Sequence, residues 1–199
     1  MTVKRIAVDR CWGAIIDVQG FFLSQVTSRV ARSKIEANIG GFARLLGYFK
    51  IPIVATLERP VHDKGPLPPA LKRQLGNRAH FFEKDFFDLT KEKKIRSHLD
   101  RQNRTQAIVA GCETDVCVLQ SCLGLLGLGH EVYVVEDLLF SSARDVGSAI
   151  DRMKAEGAVF LTYKTLFYEL IEAVDGGRHA EKMTAAYGPF PDDIPDCVR

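Results

Sequence analysis

Six short apolar runs, separated by segments with helical spacing, constrain the fold of this chain more than any other feature. Unbroken runs of this kind are typical of strands covered on both faces. The predicted strands are AIIDV (14–18), IPIVATL (51–57), HFFEK (80–84), TQAIVAGC (105–112), HEVYVVEDL (130–138) and AVFLTYKT (158–165). The predicted helices cover 30–50, 68–76, 91–102, 116–129, 143–157 and 165–174.

Strands that alternate with helices predict an α/β fold. Because crossovers between parallel strands are right-handed, the pattern indicates a three-layer α-β-α sandwich around a mostly parallel six-stranded sheet, a Rossmann-like arrangement. The 199 residues contain no repeat and no evident linker, so we expect one domain over 1–199. Its core is predicted at about 12–174, with a Pro- and Asp-rich extension at 188–199.

Charge and hydropathy exclude several classes of partner. Lys and Arg number 27 against 25 Asp and Glu, without a long block of one sign, so neither a nucleic acid nor a membrane surface is an expected partner. No apolar run is long enough to cross a bilayer, and the N-terminus lacks the apolar stretch of a secretory signal. We therefore expect a cytoplasmic protein, with import into an organelle left open.

Three reactive residues lie at predicted strand ends. Asp17 closes the first strand, Lys84 closes the third, and Cys117 begins the helix after the fourth. In open parallel sheets, ligands bind outside the carboxyl ends of the strands. The three residues therefore form a candidate constellation.

Taken singly, each of these residues has another explanation. Asp17 is equally suited to capping a loop. Lys84 stands between two acidic residues, Glu83 and Asp85, which favours a surface ion pair. Cys117, flanked by valines, is compatible with a small buried side chain.

Cysteines are concentrated in AGCETDVCVLQSC (110–122), at Cys112, Cys117 and Cys122. Their five-residue spacing is neither C-x-x-C nor the close pairing of a structural zinc site, which disfavours a metal cluster. The total of five cysteines is odd, so free thiols are the default expectation. A redox pair among the three stays open.

The chain resembles the isochorismatase-like cysteine hydrolases, a superfamily that includes nicotinamidases and N-carbamoylsarcosine amidohydrolase. The resemblance covers nearly all of residues 12–174. Its motifs are AIIDVQGFF, EKDFFD, GCETDVCV and SSARDVGSAIDRMKAEGAVFLT, of which GCETDVCV is the most specific.

An Asp17-Lys84-Cys117 triad is what the resemblance implies. A helix N-terminus and a nearby ammonium favour a thiolate, so both are expected to lower the pKa of Cys117 and activate it as a nucleophile. Asp17 would accept the thiol proton and later serve the leaving group or water. The expected intermediate is a thioester or its equivalent.

The resemblance also implies a cis peptide bond between Cys112 and Glu113. The N–H groups of Glu113 and Cys117 would then form an oxyanion hole. Thr114 and Asp115 are expected to shape the turn, and Thr114 is also a candidate substrate contact. Cys112 is expected to be a bystander in this turn, and Cys122 a residue of the core.

The sequence departs from nicotinamidases in the segment 56–71, where those enzymes carry a metal-binding D-x-H motif. This chain offers a single histidine there, His62 beside Asp63, so we expect no metal and no other cofactor. Phe22, Arg59 and Phe87 are candidate substrate contacts, although core packing or surface pairing explains them as well. Glu58, like Arg59, either lines the pocket and binds a polar group of the substrate or pairs at the surface, and the surface pair is favoured.

Three functions fit the sequence. The first is hydrolysis of a small amide or carbamoyl C–N bond by a cysteine nucleophile. The second is cleavage of a vinyl ether, as in isochorismatase, in which the thiol is not required. The third is a non-enzymatic role as an oxidation-sensitive thiol protein. For the enzymes we expect a small-molecule substrate and, by resemblance, a homo-oligomer.

Overall fold

The computed structural model describes residues 3–26, 28–172, 181–182 and 185. Its strands are β1 (Cys11–Ile16), β2 (Ile53–Glu58), β3 (Ala79–Lys84), β4 (Gln106–Gly111), β5 (Glu131–Leu139) and β6 (Val159–Leu161). Its α-helices are α1 (Gly20–Gln25), α2 (Arg29–Tyr48), α3 (Val61–Lys64), α4 (Pro69–Leu75), α5 (Lys93–Gln102), α6 (Leu119–Gly127), α7 (Gly147–Ala155) and α8 (Tyr163–Ile171). Two 3-10 turns, at Gly76–Arg78 and Leu89–Lys91, precede β3 and α5, and a π-helical turn at Thr114–Val118 leads into α6.

The strands of the described chain form one parallel sheet in the order β3-β2-β1-β4-β5-β6. The order reverses direction between β1 and β4, which makes the crevice beside these two strands the expected ligand position. Helices cover both faces of the sheet. The predicted three-layer α/β fold is confirmed.

A hydrophobic core lies on each face of the sheet. On one face Phe42 of α2 and Leu166 of α8 are buried, and on the other Ile95 of α5, Leu125 of α6 and Met153 of α7. The central strands are therefore buried on both sides, which explains why their sequences are continuous apolar runs rather than alternating ones.

The last predicted strand was too long. β6 covers only Val159–Leu161, and α8 already begins at Tyr163. The side chain of Thr162 accepts a hydrogen bond from the Thr165 amide at 3.1 Å, and Asp137 accepts one from the Tyr163 amide at 2.8 Å. These caps satisfy free N–H groups of the first helical turn and override the strand preference of the Thr and Tyr residues there.

The junction between β1 and β4 depends on a glycine. Gly111 ends β4 with φ of 126°, and a Cβ atom at this position would lie 2.1 Å from the carbonyl oxygen of Ile16. The next amide, that of Cys112, donates to the same oxygen at 2.9 Å. The close approach fixes the segment that carries Cys117 against the end of β1.

Within the described ranges, no helix combines the length and the apolar character needed to cross a bilayer. The predicted extension at 188–199, with Cys197, lies outside the described residues.

Candidate active site

Four strand-end segments bring reactive side chains together at the carboxyl edge of the sheet. Asp17 follows β1, Glu58 ends β2, Lys84 ends β3, and Cys117 lies in the π-helical turn after β4. The register of the sheet pairs Glu58 with Lys84 directly. The three residues of the predicted constellation are thus adjacent, and Glu58 joins them.

Asp17 and Lys84 form an ion pair in the interior of the protein. Asp17 Oδ2 lies 2.7 Å from Lys84 Nζ, and both side chains have 0% exposure. The other oxygen, Asp17 Oδ1, accepts a hydrogen bond from the Thr56 hydroxyl at 2.8 Å. Asp17 has φ of 49°, a left-handed conformation that Asp tolerates better than most residues. This backbone turn directs the chain from β1 into the site.

The Asp17–Lys84 pair differs from the surface pairing that the sequence left open for Lys84. Glu83 and Asp85 both bind Arg59, each at 2.9 Å, and their side chains are exposed. Burial lowers the pKa of Lys84, but the negative charges of its acidic neighbours, Asp17 first, outweigh it and hold the pKa above the ordinary value. Lys84 is therefore a charged ammonium.

The Cys117 thiol contacts both an ammonium and a carboxylate. Its Sγ lies 3.5 Å from Lys84 Nζ and donates a hydrogen bond to Glu58 Oε2 at 2.9 Å. The residue is 1% exposed. Burial raises the pKa of the thiol, the Asp17 charge raises it further, and Lys84 only partly offsets them. The expected lowering of this pKa was wrong, because burial and two carboxylates outweigh one ammonium.

Glu58 is the residue of this cluster for which the sequence favoured a surface pair over a position in the pocket. It is 7% exposed and forms ion pairs with Lys64 of α3 and, at 3.6 Å, with Lys84. Burial raises the pKa of Glu58, but hydrogen bonds from Cys117 and Lys64 and the charge of Lys84 bring it below the ordinary value. Its position at the end of a buried strand was the signal that could have identified it.

Gln19 holds the segment after β2 in place. Its side-chain oxygen accepts from the Glu58 amide at 2.7 Å, and its nitrogen donates to the Gly65 carbonyl at 2.8 Å. Gln19 is fully buried. The backbone on both sides of α3 is therefore tied to the end of β1.

The turn before Cys117 is anchored by backbone and hydroxyl groups. The peptide bond between Cys112 and Glu113 is cis. Both the amide and the hydroxyl of Thr114 donate to the Phe140 carbonyl, at 3.2 and 3.1 Å. Thr114 is buried and its hydroxyl is engaged in the turn, so its contact in this structure is structural. Among the described residues, the Glu113 amide has no hydrogen-bond acceptor.

The remaining candidate substrate contacts are separated by the structure. Phe22 is buried, with the Lys64 ammonium 5.9 Å from its ring centre, so it lies beside the Glu58 side of the cluster. Phe87 is 47% exposed, and the Arg59 side chain is 48% exposed in its pairs with Glu83 and Asp85. Arg59 and Phe87 therefore lie at the surface rather than in the cluster.

Two places among the described residues offer ligand atoms that a metal ion could use. His62 and Asp63 lie 3.3 Å apart on exposed side chains. In the cluster, one ligand atom each of Asp17, Glu58 and Cys117 lie within 4.8 Å of one another. The Lys84 ammonium lies 2.7 to 3.6 Å from these groups and already supplies the positive charge that a cation would bring. The absence of a metal stays a prediction.

The other described cysteines are unpaired and buried. Cys122 lies in α6, where burial raises its pKa to about 12, and burial also raises the pKa of Cys112. Cys11 hydrogen bonds Gln106 at 3.3 Å, on the opposite edge of the sheet. Only Cys117, of the four, touches the charged cluster within the described chain.

Comparison with solved structures shows the same fold in other proteins. The MAR1 ribonuclease from Caenorhabditis elegans superposes with a TM-score of 0.81 at 24% identity, covering 97% of this chain and 98% of that one. YcaC from Escherichia coli, an octameric hydrolase of unknown specificity, gives a TM-score of 0.79 at 23% identity, covering 94% and 98%. At these identities the likeness concerns the fold.

Sequence comparison identifies the family. The model of the isochorismatase domain matches residues 14–165. Isochorismatase family protein 2A from Dictyostelium discoideum is 30% identical over 172 residues, which cover 80% of this chain and 81% of that protein. The chain therefore belongs to the isochorismatase family, whose hydrolase fold it shares.

Proposed function

We propose that this protein is a cysteine hydrolase that cleaves a C–N bond of a small amide or carbamoyl compound. The observation that supports this most directly is the contact of the buried Cys117 thiol with Lys84 and a carboxylate. A thiol held between a base and a cation is the arrangement that nucleophilic catalysis requires.

The proposed reaction begins with attack of Cys117 Sγ on the substrate carbonyl carbon. Lys84, 3.5 Å from the sulfur, stabilises the negative charge that develops there as the proton leaves. Asp17 keeps Lys84 charged and in position through the 2.7 Å ion pair, and serves the proton transfers of the reaction. The resulting thioester is then hydrolysed by water.

The amides of Glu113 and Cys117 are the proposed oxyanion hole. The Glu113 amide has no acceptor among the described residues, so it is free to donate to a substrate oxygen. Two backbone donors at this position would stabilise the tetrahedral intermediate, and loss of one such donor typically costs about a hundredfold or more in rate.

A homo-oligomer is part of the proposal. E. coli YcaC is octameric, and it shares the fold over 94% of this chain. We expect a small-molecule substrate, because the four reactive groups converge on one buried point rather than on an extended surface.

The test is a comparison of Cys117→Ala with Cys122→Ala on a panel of small amides and carbamoyl compounds, scored by ammonia release. We expect Cys117→Ala to abolish turnover and Cys122→Ala to retain it, because Cys122 lies in α6 outside the cluster. Full activity in Cys117→Ala would refute the cysteine mechanism.

A further inference from the structure

We propose that Glu58 is a catalytic residue of this site and takes the proton of the Cys117 thiol when the sulfur attacks. This inference rests on the proposed cysteine hydrolase and adds a fourth group to the predicted triad. It divides the proton transfers between two carboxylates, where the triad assigns all of them to Asp17.

Hydrogen-bond geometry distinguishes the two carboxylates. The thiol donates to Glu58 Oε2 at 2.9 Å. Asp17 also faces the sulfur, with its ligand atom within 4.8 Å of the others, and Cys117 is among the groups that lower its pKa, but its two oxygens are engaged by Thr56 and by the Lys84 ammonium. Thr56 donates to Oδ1 at 2.8 Å, and Lys84 lies 2.7 Å from Oδ2. Glu58 is therefore the acceptor in place for the thiol proton.

Glu58 is held as a charged base from several sides. Lys64 pairs with its carboxylate from the direction of α3, and Lys84 lies 3.6 Å away on the inner side. The two cations, together with the thiol itself, outweigh burial and keep the pKa of Glu58 below its ordinary value. Gln19 fixes the Glu58 backbone at 2.7 Å. Position and charge state are thus set before a substrate arrives.

In the acylation step, every proton and electron pair that leaves one group is taken up by another group of the site or of the substrate. As the Sγ–C bond forms, the thiol proton moves to Glu58 Oε2 and the carbonyl π electrons move to the substrate oxygen. When the carbonyl reforms, the C–N bond breaks and the leaving nitrogen takes the proton from Glu58. The products are an amine or ammonia and the thioester.

In the deacylation step, Asp17 is the base. Water gives a proton to Asp17 while its oxygen bonds to the acyl carbon. The C–S bond then breaks, and the sulfur takes that proton back, which regenerates the thiol. Each carboxylate thus begins and ends the cycle without a proton.

The test measures alkylation of Cys117 by iodoacetamide from roughly pH 5 to pH 9, with the modified cysteine located by mass spectrometry. Glu58→Gln keeps the shape of the side chain and removes the base. Glu83→Gln is the matched control, because Glu83 also binds the segment after β2, through Arg59, but does not touch the thiol in the described structure. Urea unfolding verifies that each variant is folded.

We expect the wild-type alkylation rate to fall in acid as Glu58 becomes protonated. Glu58→Gln should lose this acid dependence and react about a hundredfold more slowly at neutral pH, the usual size of a general-base contribution. Glu83→Gln should behave as the wild type. Lys64→Met should move the acid limb to higher pH, because Lys64 lowers the pKa of Glu58.

Two other results would overturn the inference. If Glu58→Gln keeps the wild-type profile while Asp17→Asn removes the acid limb, the thiol proton goes to Asp17 and the proposed hydrolase stands. If Cys117 of the wild type is no more reactive than Cys122, both the inference and the proposed function fail. Should Glu58→Gln not fold, an unshifted acid limb in Lys64→Met refutes the role of Glu58.

Discussion

Lys84 is a fully buried ammonium whose ion-pair partners, in the described part of the chain, are Asp17 and Glu58. Two ions removed from water are tolerated when they pair closely, but a single uncompensated ion in the same place is strongly destabilising. The Asp17–Lys84 pair therefore matters to the fold as much as to the chemistry.

Substitution of Lys84 by Met should lower the free energy of unfolding by about 3 to 5 kcal/mol, because Asp17 is left buried without its partner. The double variant Asp17→Asn/Lys84→Met should recover much of that loss. Urea denaturation measures both. Arg59→Met breaks exposed ion pairs instead and should have little effect. An equally small effect for Lys84→Met would show that the buried pair is not coupled to stability.

Of the four residues in the buried cluster, the sequence grouped Asp17, Lys84 and Cys117 into one candidate site, whereas for Glu58 it favoured a surface pair over a position in the pocket. The first three stood out through their position at strand ends and their resemblance to a known motif. Glu58 also ends a strand, yet its neighbour Arg59 suggested a surface pair, and the structure shows that the Glu58 side chain is buried while that of Arg59 is exposed. The raised pKa of Cys117 could not be predicted, because burial is a property of the assembled site.

The strand that ends at Gly111 shows how one element positions the nucleophile. With φ of 126° and no room for a Cβ atom beside Ile16, this residue allows β4 and β1 to end in contact. A mostly parallel sheet with helices on both faces follows from crossover rules, but the lack of room for a Cβ atom beside one carbonyl does not. Local contacts also decided the boundary of β6, where the caps at Thr162 and Asp137 begin α8 early.

Gly111→Ala should destabilise the fold by more than Gly129→Ala. Both glycines have positive φ, so each substitution carries a backbone cost of about 1 to 2 kcal/mol. Only at Gly111 would the new methyl group also meet a carbonyl, since Gly129 has no atom within 4 Å of that position. Urea unfolding compares their stability. Equal losses for the two variants would mean that the contact with Ile16 relaxes freely.

For the molecule as a whole, two histidines make stability depend on pH. Burial lowers the pKa of His98, with His80 and Arg101 acting in the same direction, and burial also lowers that of His130. Since their ordinary pKa is about 6.5, the unfolded chain binds more protons than the folded one just below that value. The contribution of the two neutral histidines to the free energy of unfolding should therefore be complete above about pH 6.5. It should decrease as the pH drops through their lowered pKa values.

This dependence is measured by urea denaturation at neutral and at mildly acidic pH. The double variant His98→Asn/His130→Asn should show a smaller loss of stability on acidification than the wild type, whatever its stability at neutral pH. A wild type equally stable at both pH values would contradict the prediction. The overall architecture was predictable from the alternation of strands and helices. The burial of His98 and His130 was not, because it arises only when α5 and the start of β5 pack on one face of the sheet.

The cluster at the carboxyl edge also has a consequence for the order in which the chain folds. Its four groups come from positions 17 to 117, so no short stretch of the chain contains them together. Contacts of such large sequence separation form late, after the loop-closure entropy of the parallel crossovers has been overcome. The contacts of the Cys117 thiol with Lys84 and Glu58 therefore exist only in the completed sheet, and their formation belongs to the last step of assembly.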